Sequence, residues 1–261
     1  MPKLVDYSTQ DGIAILELND PPANAYGYQM MRDLDEAILE ARMDENVHCL
    51  VLRGKGDKFF CGGADIRMLN EKSSHHFYYF TLFANETVRR LEMTPKIVIA
   101  ALNGHTMGGG LEIALACDIR LAKRDAGRVG LPEVNLGLEP GVGGTQRLPR
   151  IIGYSRAVEL MTTGRVLSWE EALDYGLVNY IYEPARYWEE VLQYARQFCP
   201  PNKASKAVGR IKLAARAALE TSISEGIIIE HETLMQIYES KDAKEGTAAF
   251  LARRQPVYQG S

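Results

Sequence analysis

Apolar and polar positions follow two different periods along the first half of the chain. Ile13 to Leu18 is a β-rich run, Met30, Leu34, Ala37, Ile38 and Ala41 recur at helical spacing, and Val47 to Leu52 is β-rich again. That order predicts strand, helix, strand. A helix near His76 to Glu92 follows, ended by Thr94 and Pro95, and after it come an apolar strand, Ile97 to Leu102, and a strand-like run, Cys117 to Ala122. Strands interleaved with amphipathic helices predict an α/β core.

From Ser168 onward the pattern changes. Ser168 with Glu171, and Ser222 with Glu225, have the spacing at which a hydroxyl and a carboxyl each bond the other residue's backbone N–H at a helix start. Pro184 is placed in the first turn of another helix. A last strand-like run, Leu177 to Tyr182, separates the two helix starts at Ser168 and Pro184. Beyond Pro200 and Pro201 the residues are mostly Ala, Lys, Arg, Glu and Leu, with no β-rich run. The prediction is a body over residues 1–200 that carries the active site, followed by a helical region over residues 201–261.

Composition narrows the function classes. The 261 residues are 46% hydrophobic and 25% charged, and the formal net charge is −4. An acidic balance supplies no general attraction to nucleic-acid phosphates or an anionic bilayer. The longest uncharged run, Ile97 to Leu111, is broken by Asn103, Gly104, His105 and three glycines, and is shorter than the ~18 residues of a membrane span. Neither nucleic acid nor membrane is expected as a partner. Cys49, Cys61, Cys117 and Cys199 form no C-x-x-C pair and are read as reduced thiols, Cys61 in loop-like surroundings. The first residues lack the apolar stretch of a secretory or transit signal, so a cytoplasmic location is expected.

Common catalytic motifs fail on inspection. His231 and Glu232 are followed by Met235 where a zinc protease needs its second histidine. No G-x-G-x-x-G, no G-x-x-x-x-G-K-[ST] and no G-x-S-x-G is present. The five histidines show no metal spacing with cysteines or carboxylates, so no metal is expected.

Glycine is the most uneven feature: 11 of 23 lie between Gly104 and Gly153. Dense glycine lets main chain approach a ligand and frees N–H groups to point at it. Gly108, Gly109 and Gly110 open an apolar helix read as Leu111 to Ala116, whose first turn holds Glu112, the only charge between Lys96 and Asp118. Unpaired N–H groups at such a start suit a developing negative oxygen. Glu112 reads either as a reacting group or as a carboxylate stabilising its own helix. Glu133 lies in a second glycine-rich turn system and reads either as its partner or as a surface loop residue.

These residues carry a resemblance. The stretch from Ile99 through Asn103, Gly104 and the three glycines to Glu112, then Leu131-Pro132-Glu133, then Pro140-Gly141 to Arg147 and Leu148, resembles the signature of the enoyl-CoA hydratase (crotonase) superfamily. Cys61-Gly62-Gly63-Ala64-Asp65-Ile66 is similar to that family's other oxyanion loop, and Pro21-Pro22-Ala23-Asn24-Ala25 to its CoA-contacting turn. The resemblance spans nearly the whole chain. It implies a spiral of ββα units with a C-terminal helical trimerisation region, assembled as a trimer or a dimer of trimers. It also implies an acyl-CoA thioester as substrate, with coenzyme A part of that substrate and no separate cofactor.

By position, the resemblance makes the N–H groups of Ala64 and Gly109 the donors to the thioester oxygen. Glu112 becomes the base toward water, Glu133 the acid toward Cα, and Gly141 N–H a group that positions the water. Ala23, Ala25, Gly63, Asp65, Ile66, Gly108, Leu131 and Pro132 become substrate contacts. Glutamate at both acid/base positions is the hydratase pattern, which points to reversible syn hydration of a 2-enoyl-CoA. Isomerisation, decarboxylation and thioester hydrolysis are the alternatives within the family, and RNA binding by a non-catalytic relative is the alternative outside it.

Two features depart from the pattern or leave it open. Glu139 replaces an apolar residue and either recognises a polar acyl group or faces water. Phe77, Tyr78, Tyr79, Phe80 and Phe83 either wall the acyl pocket or pack their own helix. Lys203, Lys206 and Arg210, with Lys212 and Arg216 nearby, read as a solvated basic helix face rather than a contact with CoA phosphates, and Arg147 as a structural brace.

Overall fold

The computed structural model describes residues 2–261, Leu69 by its backbone alone. In chain order the elements are β1 (Val5–Gln10), β2 (Ile13–Leu18), α1 (Tyr28–Met43), β3 (Cys49–Gly54), β4 (Phe59–Cys61), α2 (Ile66–Glu71), α3 (Ser74–Glu92), β5 (Ile97–Leu102), β6 (His105–Met107), α4 (Gly109–Leu115), β7 (Ile119–Lys123) and β8 (Val129–Gly130). A short 3-10 turn, Glu133–Leu136, precedes α5 (Gly144–Ile152), α6 (Tyr154–Thr163), α7 (Trp169–Asp174), β9 (Tyr180–Tyr182), α8 (Tyr187–Arg196), α9 (Ser205–Ala217), α10 (Ile223–Tyr238) and α11 (Lys241–Leu251).

Two sheets receive these strands in turn. The larger has the order β1-β2-β3-β5-β7-β9 and the smaller β4-β6-β8, so from β3 onward the chain steps between sheets with every strand. Only β1 and β2 pair antiparallel, and each later pairing is parallel. The result is the spiral of ββα units that the resemblance implied. In β3 and β5 the apolar runs are continuous because both faces are covered. Leu50, Leu52, Val98, Ala100 and Leu102 enter the main core, while Cys49, Val51, Ile99 and Ala101 pack against Val191, Leu192 and Ala195 of α8.

Several expectations shift. β1 has no predicted counterpart because only Val5 of its six residues is buried, which leaves an edge strand without alternation. The strands expected at Val47, Cys117 and Leu177 begin two or three residues later. Val47, Leu177 and Val178 are buried in loops, so burial there mimics a strand. Cys61 ends β4 rather than lying in a loop, and Pro184 sits in a turn ahead of α8, whose cap is Arg186. The strands of the small sheet are two or three residues long, too short to show a period. Both capping boxes form, at Ser168 and at Ser222.

Two buried asparagines tie the sheets to the loops above them. Asn103 Oδ1 accepts from Gly54 N–H at 3.0 Å, and its Nδ2 donates to the carbonyls of Gly54 and Gly56 at 2.9 and 2.7 Å. Asn24 donates to the carbonyls of Lys55 and Phe59, both at 3.1 Å, which pins the Pro21–Ala25 turn beside β4.

After residue 200 only helices occur, and α9 is joined to the body by charge. Lys212, expected on a solvated face, is buried: its Nζ lies 2.7 Å from Asp118 Oδ2 and donates to the carbonyls of Leu91 and Lys96 at 3.0 and 3.1 Å. Arg216 pairs with the buried Glu92, whereas Lys203 and Lys206 do face solvent. Burial raises the Asp118 carboxyl and lowers the Lys212 ammonium, so each charge depends on the other. Asp118→Asn strands a buried ammonium and is expected to cost about 3–5 kcal/mol in denaturant unfolding, while Asp118→Asn combined with Lys212→Met recovers much of that loss. Additive losses in the double variant would contradict a coupled pair.

Candidate active site

The cavity between α3 and the loops after β4, β6 and β8 is built around the start of α4. Gly108 pairs its N–H with Gly130 O at 2.9 Å and turns at φ 54°, and the helix begins at Gly109, two residues ahead of the expected start. A Cβ on Gly110 would lie 2.3 Å from Cys61 O, so only glycine lets α4 seat against β4. Gly63, at φ 99°, brings its Cα against Met107 O and Gly109 N, where a Cβ would lie 3.1 and 3.3 Å away. The two loops that the resemblance singled out as oxyanion loops are therefore stacked on one another. The first is paired with the Pro21–Ala25 turn and Tyr26: Gly62 N–H donates to Ala23 O, Tyr26 N–H to Gly63 O, and Asp65 N–H to Tyr26 O, at 2.8, 2.9 and 2.9 Å.

Glu112 enters from the first turn of α4 and is 1% exposed. Its Oε1 accepts from Val142 N–H and from Gly144 N–H, each at 2.7 Å. Charge-assisted bonds of this kind favour the anion, but burial acts more strongly and raises the carboxyl from an ordinary 4.5 to about 7. The nearby Glu133 charge raises it further and Arg147 opposes that effect. Arg147 is the brace expected of it: it grips Glu92 through Nε and Nη2 at 2.8 and 2.9 Å and donates to Val142 O at 2.8 Å.

Glu133 opens the 3-10 turn after Pro132 and reaches back toward α4. Its Oε1 lies 3.1 Å from where a Cβ on Gly108 would stand, and its Oε2 is buried without a protein partner. Burial raises this carboxyl too, against the opposing effect of its own backbone N–H. Twenty-one residues apart in sequence, the two carboxylates face one cavity.

That cavity has a volume of about 560 Å³. Of the residues singled out from sequence, Gly63, Ala64, Ile66, Gly108, Gly109, Glu112, Pro132, Glu133, Glu139 and Gly141 line it. Four do not. Ala23 stands behind Gly62, 3.2 Å from where a Cβ on that glycine would be, and Ala25 is half-buried in the same turn. Asp65 caps α2 by accepting from Arg67 N–H at 3.0 Å, and Leu131 is buried in the core. Glu139 is exposed at the cavity wall, while Phe77 and Phe80 line the cavity and Tyr78 and Tyr79 point outward. Phe83 packs on Tyr28 with ring centroids 5.4 Å apart.

Sequence reasoning passed over Tyr26, Val142 and Gly144. The last two act through backbone N–H groups, which leave no side-chain signal, though the glycine cluster marked their loop. Among the described residues no group of three or more His, Cys, Asp or Glu side chains could hold a metal ion, and no helix is long and apolar enough to cross a membrane. All four cysteines are buried and unpaired, and burial pushes the Cys61 thiol up to about 12.

The raised carboxyl has a thermodynamic consequence. Between pH 4.5 and about 7 the folded chain holds a proton on Glu112 that the unfolded chain has released, so this group's contribution is intact below pH 4.5 and lost as the pH rises through 7. Glu112→Gln keeps an acceptor for both amides and removes the titration. Relative to wild type, it is expected to gain about 3 kcal/mol of stability between pH 4.5 and 8. Unfolding midpoints that differ by the same amount at both pH values would contradict the raised carboxyl.

Comparison with known proteins gives the chain a family and a fold. A family model described as enoyl-CoA hydratase/isomerase matches residues 8–261. The chain is 37% identical over 243 residues to a short-chain-enoyl-CoA hydratase of Clostridium acetobutylicum, covering 93% of this chain and 92% of that one. It is also 37% identical to a crotonyl-CoA hydratase of Syntrophomonas wolfei over 246 residues, 94% of each chain. The crystal structure of an enoyl-CoA hydratase from Geobacillus kaustophilus superposes with a TM-score of 0.97 at 40% identity, covering 100% of this chain and 98% of that one. The chain belongs to the enoyl-CoA hydratase/isomerase family, and its fold is the crotonase fold.

Proposed function

We propose that the protein catalyses reversible syn hydration of a 2-enoyl-CoA thioester to the 3-hydroxyacyl-CoA. The observation that carries this reading is the pair itself: two carboxylates, both raised by burial, open onto the same cavity as the stacked Gly63–Ala64 and Gly108–Gly109 loops. An isomerase needs one proton carrier at this place, whereas addition of water needs two groups with different duties.

In the proposed reaction the thioester oxygen accepts from the N–H groups of Ala64 and Gly109. Charge gathers on that oxygen as the enolate forms, so donors aimed at it lower the barrier more than they stabilise the bound substrate. Water lies between the carboxylates, with Gly141 N–H helping to hold it. Glu112, as anion, takes a proton from the water as its oxygen bonds to Cβ. Glu133, as acid, passes a proton to Cα as the enolate collapses. One water is consumed, and the pair ends with the same total charge and its proton on the other member. Two amide donors on Glu112 Oε1 support the anionic role, while the unpartnered Glu133 Oε2 supports the protonated one.

Phe77, Phe80, Ile66, Leu136 and Leu138 supply apolar wall for the acyl chain, and Glu139 stands at its rim. The reading includes a homo-oligomer, trimer or dimer of trimers. Supporting it, α9 and α10 present Ile211, Ile223, Ile227 and Leu234 to the outside.

Added to crotonyl-CoA, the protein is expected to bleach the absorbance of the conjugated thioester and to yield a product heavier by one water. Glu112→Gln and Glu133→Gln should each lower kcat by about 10²- to 10⁴-fold. Near-normal turnover in either variant would rule out the two-carboxylate mechanism, and a product of unchanged mass would point to isomerisation.

A further inference from the structure

One polar group in the cavity has no part in the reaction as described. Tyr26 is 2% exposed, yet it lines the cavity beside both glutamates. Its backbone is bonded on both sides to the Gly63–Asp65 loop, and its ring lies 6.1 Å from that of Phe80, so the side chain is fixed at both ends of its reach. The hydroxyl rests directly over the Gly109 backbone: a Cβ on that glycine would fall on Tyr26 Oη, 1.9 Å away. Among the described residues the hydroxyl makes no hydrogen bond to protein. The cavity that Tyr26 lines is therefore where the O–H finds its partner.

We infer that Tyr26 is a catalytic residue whose hydroxyl donates to the thioester oxygen, as a side-chain third donor beside the N–H groups of Ala64 and Gly109. The inference rests on the acyl-CoA reading of the cavity and adds to it a donor that the two loops alone do not provide. The chemistry suits the position. Burial and the charges of Glu112, Cys61 and Glu133 raise the phenol well above its ordinary value, so it remains a neutral donor while the carboxylates titrate. No proton leaves it. It stabilises negative charge on oxygen without competing with Glu133 for delivery to Cα. Gly109 must also be glycine for this donor, since alanine there would push the phenol off the site.

Tyr26→Phe keeps the ring and its packing and deletes only the O–H. The decisive readout is the infrared carbonyl stretch of a saturated acyl-CoA bound to protein, butyryl-CoA labelled at the thioester carbon, which reports hydrogen bonds to that oxygen without any turnover. Binding to wild type should lower the stretch, and binding to Tyr26→Phe should lower it less. The kcat for crotonyl-CoA should fall about 10- to 100-fold with KM changed less than threefold. An unchanged stretch overturns the contact, even if kcat falls, because the loss would then come from the carboxylates or the water. Failure of the hydratase reading shows differently: wild type would bind butyryl-CoA and shift its carbonyl but leave crotonyl-CoA unhydrated. Loss of the shift in Tyr26→Phe would still stand as evidence for the donor.

Discussion

A carboxylate buried at the first turn of a short helix would be an expense to the fold if it were not held, and the hold on Glu112 comes from two amides thirty residues downstream. Val142 and Gly144 present their N–H groups to one oxygen and leave the other toward the cavity. Everything nearby serves that arrangement. Arg147 fixes the loop by binding Val142 O, and is itself fixed by Glu92 at the end of α3. Glu92 also receives Arg216 from α9, so the helical region after residue 200 braces the same loop from outside. Burial raises the carboxyl and the amides restrain the rise, which brings it to about 7, where it gives or takes a proton at neutral pH.

The second carboxylate is supplied by topology. Parallel strands that alternate between two sheets place the turns after β6 and β8 side by side, because those strands are neighbours in the small sheet. Glu112 follows β6 and Glu133 follows β8, so one spiral step joins them across twenty-one residues of sequence. The loop after β4, carrying Gly63 and Ala64, is the third neighbour. A three-stranded sheet of two- and three-residue strands is thus the frame on which the Gly63–Ala64 and Gly108–Gly109 loops and both glutamates meet.

How much of this was legible in the sequence follows from range. Long elements with a clear period, such as β2, α1, α3 and β5, could be read because a covered face imposes its own repeat. Glu112 could be read as unusual because it stands alone among apolar residues, and the glycines because close backbone approach demands them. The small sheet could not, since its strands are shorter than one repeat. Lys212 misled, because a lysine at helical spacing looks the same whether it meets water or Asp118. The meeting of Glu112 with Glu133 came only through resemblance to a family, since spacing along a chain says nothing of which turns a parallel sheet sets together. Tyr26 lay one residue beyond the turn that resemblance identified, and its hydroxyl gained meaning only from its place over Gly109.

The central claim is that two acidic side chains work on the same face of one bound thioester. Stereochemistry tests it most directly: hydrate crotonyl-CoA in deuterium oxide and read the relative configuration at Cα and Cβ from proton coupling constants. The account predicts a single diastereomer in which deuterium and oxygen have added to the same face. Addition to opposite faces, or a mixture at Cα, would contradict it.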